Sequence, residues 1–170
     1  MVEAHDITGL WYAVHVKPRT EKKMQVMMRK RHIWNWLPVQ TKVRKVQRRS
    51  IRTELPIFPG YVLARLDEAE RVEVLKTNLV VSMVHISDPR PVIHQLRQIA
   101  KAVRKECKMR MVPIGWAVGE RVCIAHGPLK GIEGYVVERD SKATLVISVE
   151  AFGGAVAVML SPEDCTLQKE

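Results

Sequence analysis

Six cations, Lys42, Arg44, Lys45, Arg48, Arg49 and Arg52, fall in one short run with no acidic residue among them. Clustered ammonium and guanidinium groups displace the counterions of a phosphate backbone and draw affinity from that exchange. Val43 and Val46 are the only apolar residues of the run before Ile51. It is too polar to pack and reads as a projecting hairpin or loop, either a solvated arm or a nucleic-acid contact. Lys17 and Arg19, around Pro18, form a smaller basic point. Aromatic rings are the other working groups. Trp11 and Tyr12 sit in one apolar run, and Phe58 and Tyr61 flank Pro59-Gly60. Pro56 and Pro59 each fix φ and donate no hydrogen bond, and Gly60 admits a sharp turn. Rings on so rigid a corner are core pegs or docking anchors.

Bond-making chemistry has little to build on. His5, His15, His32, His85, His94 and His126 stand singly, with no Cys, Asp or Glu at ligand spacing. Cys107, Cys123 and Cys165 fit neither a disulfide framework nor a close-spaced metal pattern. The stretch Gly127–Gly131 lacks the spacing of a phosphate-binding loop, and no G-x-S-x-G elbow occurs. The expectation is a non-enzyme with no metal and no cofactor. No early apolar run resembles a signal peptide, and none approaches the roughly 18 residues that span a bilayer. A reducing cytoplasm, away from membranes, is the expected setting.

The elements that must position these groups follow from periodicity. Leu10–Val16 is rich in β formers and reads as a buried strand. Thr20 is placed to cap a helix, with Met24, Met27, Met28 and Arg31 along one face. Trp34, Trp36 and Leu37-Pro38-Val39 read as a turn into a second strand. Tyr61–Leu66 is a strand launched from the Pro-x-x-Pro-Gly corner. Asp67 caps a short helix through Lys76 with Val72 and Leu75 inward. Val80–Ile86 is a strand ended by Asp88-Pro89-Arg90-Pro91. Leu96, Ile99, Ala100 and Val103 mark a helix of about three turns with a basic outer face. Residues 109–118 show no period and read as a linker. Beyond them, five short strands with glycine punctuation suggest a small all-β barrel. Residues 1–118 carry a net charge of +13 and residues 119–170 one of −3, which fits two domains with different partners or with each other as partners. The fold class is α+β: an antiparallel sheet with flanking helices, followed by the barrel.

Three motifs then fall into order: Trp11-Tyr12-Ala13-Val14, Phe58-Pro59-Gly60-Tyr61-Val62-Leu63, and Val118 to Val137 with its Gly-Pro turn and paired Gly131 and Gly134. The last resembles the KOW motif, continued by the Phe152-Gly153 corner and an alternating strand. Together the chain resembles the NusG family of transcription elongation factors over about residues 9–168. The strongly basic middle resembles that of a specialised paralogue, RfaH-like or of the Bacteroides type, more than a housekeeping bacterial member. The resemblance implies an NGN-type α/β sandwich over 1–108, a linker over 109–118 and a KOW barrel over 119–170. It implies docking on the β′ clamp helices of RNA polymerase through an aromatic-lined depression of Trp11, Tyr12, Phe58 and Tyr61. It implies contacts to upstream and non-template DNA through Lys17, Arg19 and the Lys42–Arg52 arm. Thr77 and Asn78 stand where some members read non-template bases, although the family's Pro-Gly is missing there. Leu129, Ile132 and Phe152 match the KOW surface that binds a small-subunit ribosomal protein or Rho, with Leu129 in place of the commoner Phe. The implied activity is suppression of pausing or termination by a monomer with no catalysis. The alternative is an RNA-binding or ribosome-associated KOW protein.

Overall fold

β-Branched and aromatic residues make Leu10–Val16 (β1) one of the two inner strands of the N-terminal sheet. The computed structural model describes residues 10–46, 49–105, 107–113, 119–127, 129–139, 142–149, 152–159 and 166–169. The chain divides into two compact units, Met1–Pro89 and Arg90–Glu170.

In the first unit β1 pairs antiparallel with Tyr61–Leu66 (β5) on one side and Val80–Ile86 (β6) on the other. Asn35–Trp36 (β2) adds to the far side of β5, giving the order β2-β5-β1-β6. Alternation along the strands sends Tyr12, Val14 and Val16 to one face. The helices Glu21–Lys30 (α1) and Glu68–Lys76 (α2) cover that face, and Met24, Met28 and Val74 join Tyr12, Val14 and Val62 in one core cluster. Full burial of each such side chain is worth about 1.5–3 kcal/mol relative to exposure.

The helices differ from the sequence reading at two points, the cap of α1 and the phase of α2, while Asp67 caps α2 as expected. Thr20 does stand at the start of α1, but its hydroxyl donates to the carbonyl of Lys17 at 2.7 Å and caps nothing. α2 starts from a full capping box, in which Asp67 accepts from the Glu70 N–H and the Glu70 carboxylate accepts from the Asp67 N–H. That box sets the phase of the helix. Val74, not Val72 and Leu75, turns inward; the latter two are 38% and 41% exposed. On the outer side, hydrogen bonds from Arg71 and Lys76 hold the carboxyls of Glu68 and Glu73 below the ordinary range.

The basic run forms a separate antiparallel hairpin, Val39–Val46 (β3) with Arg49–Pro56 (β4), in register from Val39 opposite Pro56 to Val46 opposite Arg49.

The second unit opens with Pro89–Arg104 (α3). It is longer than the periodicity predicts because proline is tolerated in a first helical turn, where its missing N–H has no partner to lose. Six strands follow: Met109–Pro113 (β7), Glu120–His126 (β8), Glu133–Arg139 (β9), Lys142–Val149 (β10), Gly154–Met159 (β11) and Thr166–Lys169 (β12). They form one antiparallel sheet in the order β12-β8-β9-β10-β11-β7. β7 is a correction to the linker reading. Val112 and Arg110 pair with Ala155 and Ala157 of β11, and Met109 and Val112 are buried. Ladder bonds to a neighbouring strand make a strand of a segment whose own pattern is weak. The remaining stretch 114–118 lies outside the described residues. Gly134 is required by close approach, since a Cβ there would lie 2.6 Å from the Val146 carbonyl oxygen. No described helix is long and apolar enough to cross a membrane.

Candidate docking face and nucleic-acid interface

The face of the N-terminal sheet opposite the α1/α2 cluster collects aromatic side chains. Trp11, Ala13 and His15 of β1 stand opposite Arg65, Leu63 and Tyr61 of β5, and opposite Ile86, Val84 and Ser82 of β6. Trp36 pairs with Leu63 and so shares this face. The rings of Trp11 and Trp34 meet edge-on with centroids 4.8 Å apart, and His15 and Tyr61 stack at 4.8 Å. Trp34, Trp36, His15 and Tyr61 are half-buried, while Trp11 is only 7% exposed. Among the described residues the buried indole N–H of Trp11 has no hydrogen-bond partner, a deficit worth about 1–3 kcal/mol.

The corner before β5 is held from several directions. Gly60 adopts φ +84°, a conformation open to glycine. Its carbonyl accepts from the Val16 N–H at 2.7 Å, and its N–H donates to the buried Glu21 carboxylate at 2.8 Å. The Tyr61 N–H donates to the Phe58 carbonyl at 3.1 Å. The first residue of α1 therefore fixes the turn that aims Tyr61. Glu21→Ala would strand the Gly60 N–H in the interior at a cost of about 1–3 kcal/mol. Thermal unfolding of the variant should show that loss, and Glu21→Gln, which keeps an acceptor, should recover part of it.

This geometry redistributes the expected anchors. Tyr12 lies on the other face, in the helix-covered core, with its ring 5.5 Å from that of His85. Neighbours in a strand point to opposite faces, so Trp11 and Tyr12 cannot line one depression. Phe58 is fully buried and serves as a core peg. Trp11 and Tyr61 remain on the candidate face, joined by His15, Trp34 and Trp36, which the sequence reading missed. A signal was available: the two-residue spacing of Trp34 and Trp36 puts both on one side of an extended chain.

The smaller basic point and the Thr77-Asn78 turn prove to be neighbours. The Lys17 N–H donates to the Leu79 carbonyl at 2.8 Å, tying the two loops together. Arg19 and Asn78 both have positive φ, 65° and 57°. Lys17, Arg19 and Asn78 are exposed at the end of the sheet where His15 stacks on Tyr61. Thr77 is spent internally: its hydroxyl donates to the Val74 carbonyl at 2.6 Å. On the hairpin, Lys42 and Arg52 are exposed. Arg44 and Lys45 occupy β3, Arg49 occupies β4, and Arg48 lies outside the described residues. At about 3.3 Å per residue the eight-residue strands reach about 26 Å.

In the second unit Leu129, Ile132 and Phe152 are 3%, 1% and 2% exposed. They are core residues here and not an open partner surface. The turn that carries Leu129 and Ile132 folds back on β8, with the Gly131 N–H donating to the Ile124 carbonyl at 2.7 Å and the Ile124 N–H donating to the Ile132 carbonyl at 2.9 Å. α3 is fastened to the same turn. The Gln98 side-chain carbonyl accepts from the Glu133 N–H at 2.9 Å, and the Lys101 ammonium donates to the Lys130 carbonyl. Among the described residues no three His, Cys, Asp or Glu side chains gather as a metal site requires.

An antiparallel sheet with helices on one face, aromatic rings on the other and a cationic hairpin paired only with itself among the described strands makes this a mixed α/β protein. A family model described as transcription termination factor nusG matches residues 9–108, and the chain belongs to the NusG family of transcription factors. A comparison with curated proteins gave no match.

Proposed function

We propose that the chain is a transcription elongation and antitermination factor that docks on the β′ clamp helices of RNA polymerase, bridges the cleft and suppresses pausing or termination. The observation that carries this reading is the aromatic face of Trp11, Trp34, Trp36, His15 and Tyr61. Half-buried rings clustered on a rigid sheet are the common hot spots of protein interfaces. The Lys42–Arg52 hairpin and the Lys17–Arg19 turn supply phosphate contacts to upstream and non-template DNA. Asn78 takes the base-reading role in place of Thr77, whose donor is engaged.

The C-terminal sheet is read as a KOW domain on the strength of its Gly131, Gly134 and Phe152-Gly153 corners. Its partner, a small-subunit ribosomal protein or Rho, would meet it after Leu129 and its neighbours are uncovered. The dense cations of the hairpin support a specialised, RfaH-like or Bacteroides-type member acting at the nucleoid in the bacterial cytoplasm.

The test is co-purification with core RNA polymerase. Wild type is expected to be retained, and Trp36→Ala and Tyr61→Ala each to lose at least about tenfold in affinity, the scale of a hot-spot residue. Unchanged retention would remove the aromatic face from the interface. No retention of wild type, together with tight binding to naked RNA, would favour the ribosome-associated reading, which the cationic hairpin also suits.

A further inference from the structure

The hairpin is not the only place where cations gather. Residues 90–113 hold seven Lys/Arg and one Asp/Glu, a net of +6. α3 itself has no Asp or Glu, not even in its first turn, where the helix dipole favours them. Arg97, Lys101 and Arg104 recur at i, i+4 and i+7 and so fall in one stripe along the helix. Leu96, Ile99 and Ala102, on the other side, are buried. Arg97 and Arg104 are exposed and Lys101 is half-buried. Exposed Lys105 and Lys108 carry the charge past the end of α3, and exposed Lys130 lies beside it through the bond from Lys101 to its carbonyl. Among the described residues Arg97, Arg104, Lys105, Lys108 and Lys130 make no ion pair. Cations in a last turn complement the helix dipole, which accounts for Lys101 and Arg104. It does not account for Arg97, about two turns earlier, or for the three lysines beyond the helix.

We propose that this stripe is a second phosphate-binding site, carried by the second unit, and that its ligand is the backbone of duplex DNA. Along the axis Arg97, Lys101 and Arg104 stand about 6 Å and about 4.5 Å apart. A duplex offers a phosphate every 3.4 Å or so on each strand, so each cation can meet its own phosphate. The stripe is held in place before any ligand arrives. The Gln98 side-chain carbonyl accepts from the Glu133 N–H at 2.9 Å, which fixes α3 against the turn that bears Lys130. Glu133, the acidic group on that turn, is balanced by the Arg121 guanidinium at 3.5 Å. A single strand is a poor occupant, because α3 has no Phe, Trp or Tyr on which bases could stack. A membrane surface is a poor one too, because the apolar side of α3 is already buried and has nothing to insert. Cations laid along a backbone position a duplex without reading it, so binding here is independent of sequence. The site extends the duplex contact of the proposed function to the other unit, and it needs no polymerase.

Binding of the full chain to a labelled DNA duplex across a salt series, with polymerase absent, tests this. Arg97→Gln/Arg104→Gln/Lys105→Gln/Lys108→Gln should flatten the slope of log affinity against log salt by about 3.6 units, at about 0.9 per contact. Between 50 and 200 mM salt the variant should therefore lose about a hundredfold less affinity than wild type. The same four changes should flatten the slope as much in a chain whose hairpin cations are already Gln. All four side chains are exposed, so circular dichroism and melting should match wild type. Arg97→Lys/Arg104→Lys keeps the charge and should keep the wild-type slope. A slope unmoved by the four changes would overturn the proposal. So would a slope lost in the lysine variant, or tighter binding to duplex RNA or to single strands of the same length. Retention on polymerase should be the same for wild type and the fourfold variant, so a failure of docking and a failure of this site are read separately.

Discussion

Phe58→Ala is expected to destabilise the N-terminal unit by about 3–5 kcal/mol, because the ring is fully buried and its loss leaves a cavity at the corner that launches β5. That is a large fraction of the 5–15 kcal/mol by which an ordinary domain is stable. Chemical denaturation should show a much lower midpoint with an unchanged slope. Phe58→Leu, which keeps most of the volume, should cost less than half as much. The result bears directly on polymerase docking. A Phe58→Ala chain that no longer binds polymerase would report unfolding, whereas Tyr61 and Trp36 are half-buried and can be truncated while the sheet persists. A midpoint near that of wild type would show that the ring is dispensable to the core and reopen its role as an anchor.

Neutralising the hairpin should have the second large effect. With Lys42, Arg44, Lys45, Arg48, Arg49 and Arg52 changed together to Gln, binding to duplex DNA should weaken most at low salt. If each cation meets one phosphate, the slope of log affinity against log salt should flatten by about five units, at about 0.9 per contact. For contacts of this number, affinity in the wild type should fall by about a thousandfold or more between 50 and 200 mM salt. Fluorescence anisotropy across a salt series measures both quantities. Stability should change little, since the hairpin pairs only with itself among the described strands and the Lys22–Glu54 bridge that reaches it is exposed. An unchanged slope would show that the cations are merely solvated.

The sequence disclosed strands and helices far better than it disclosed which side of them faces what. Val80–Ile86 and Leu10–Val16 were legible because β-branched and aromatic residues are concentrated in both runs. The cationic hairpin was legible because nothing in it could be buried. Tyr12 was misassigned because adjacency in sequence was taken for adjacency in space, and a strand separates neighbours across its two faces. Val72 and Leu75 were misassigned because the phase of a short helix is set by its cap and its meeting with the sheet, not by its own apolar count. β7 was invisible because its order comes from the ladder with β11. Leu129, Ile132 and Phe152 showed their apolar character but not their burial, which for the first two depends on a turn folding back onto β8, the strand just before it.

The bond from Gln98 to Glu133 has a bearing on inheritance. The family match ends at residue 108, but α3, inside that match, is fastened to a turn beyond it. The stretch that descends as one sequence module is therefore not the stretch that coheres as one physical body. A chimera joined at residue 108 would part α3 from Glu133, whereas a join near Pro89 follows the boundary between the two compact units. Exchange of C-terminal halves among relatives would succeed at the second point more readily than at the first. Where relatives have diverged in this half, changes in α3 should travel with changes around Glu133.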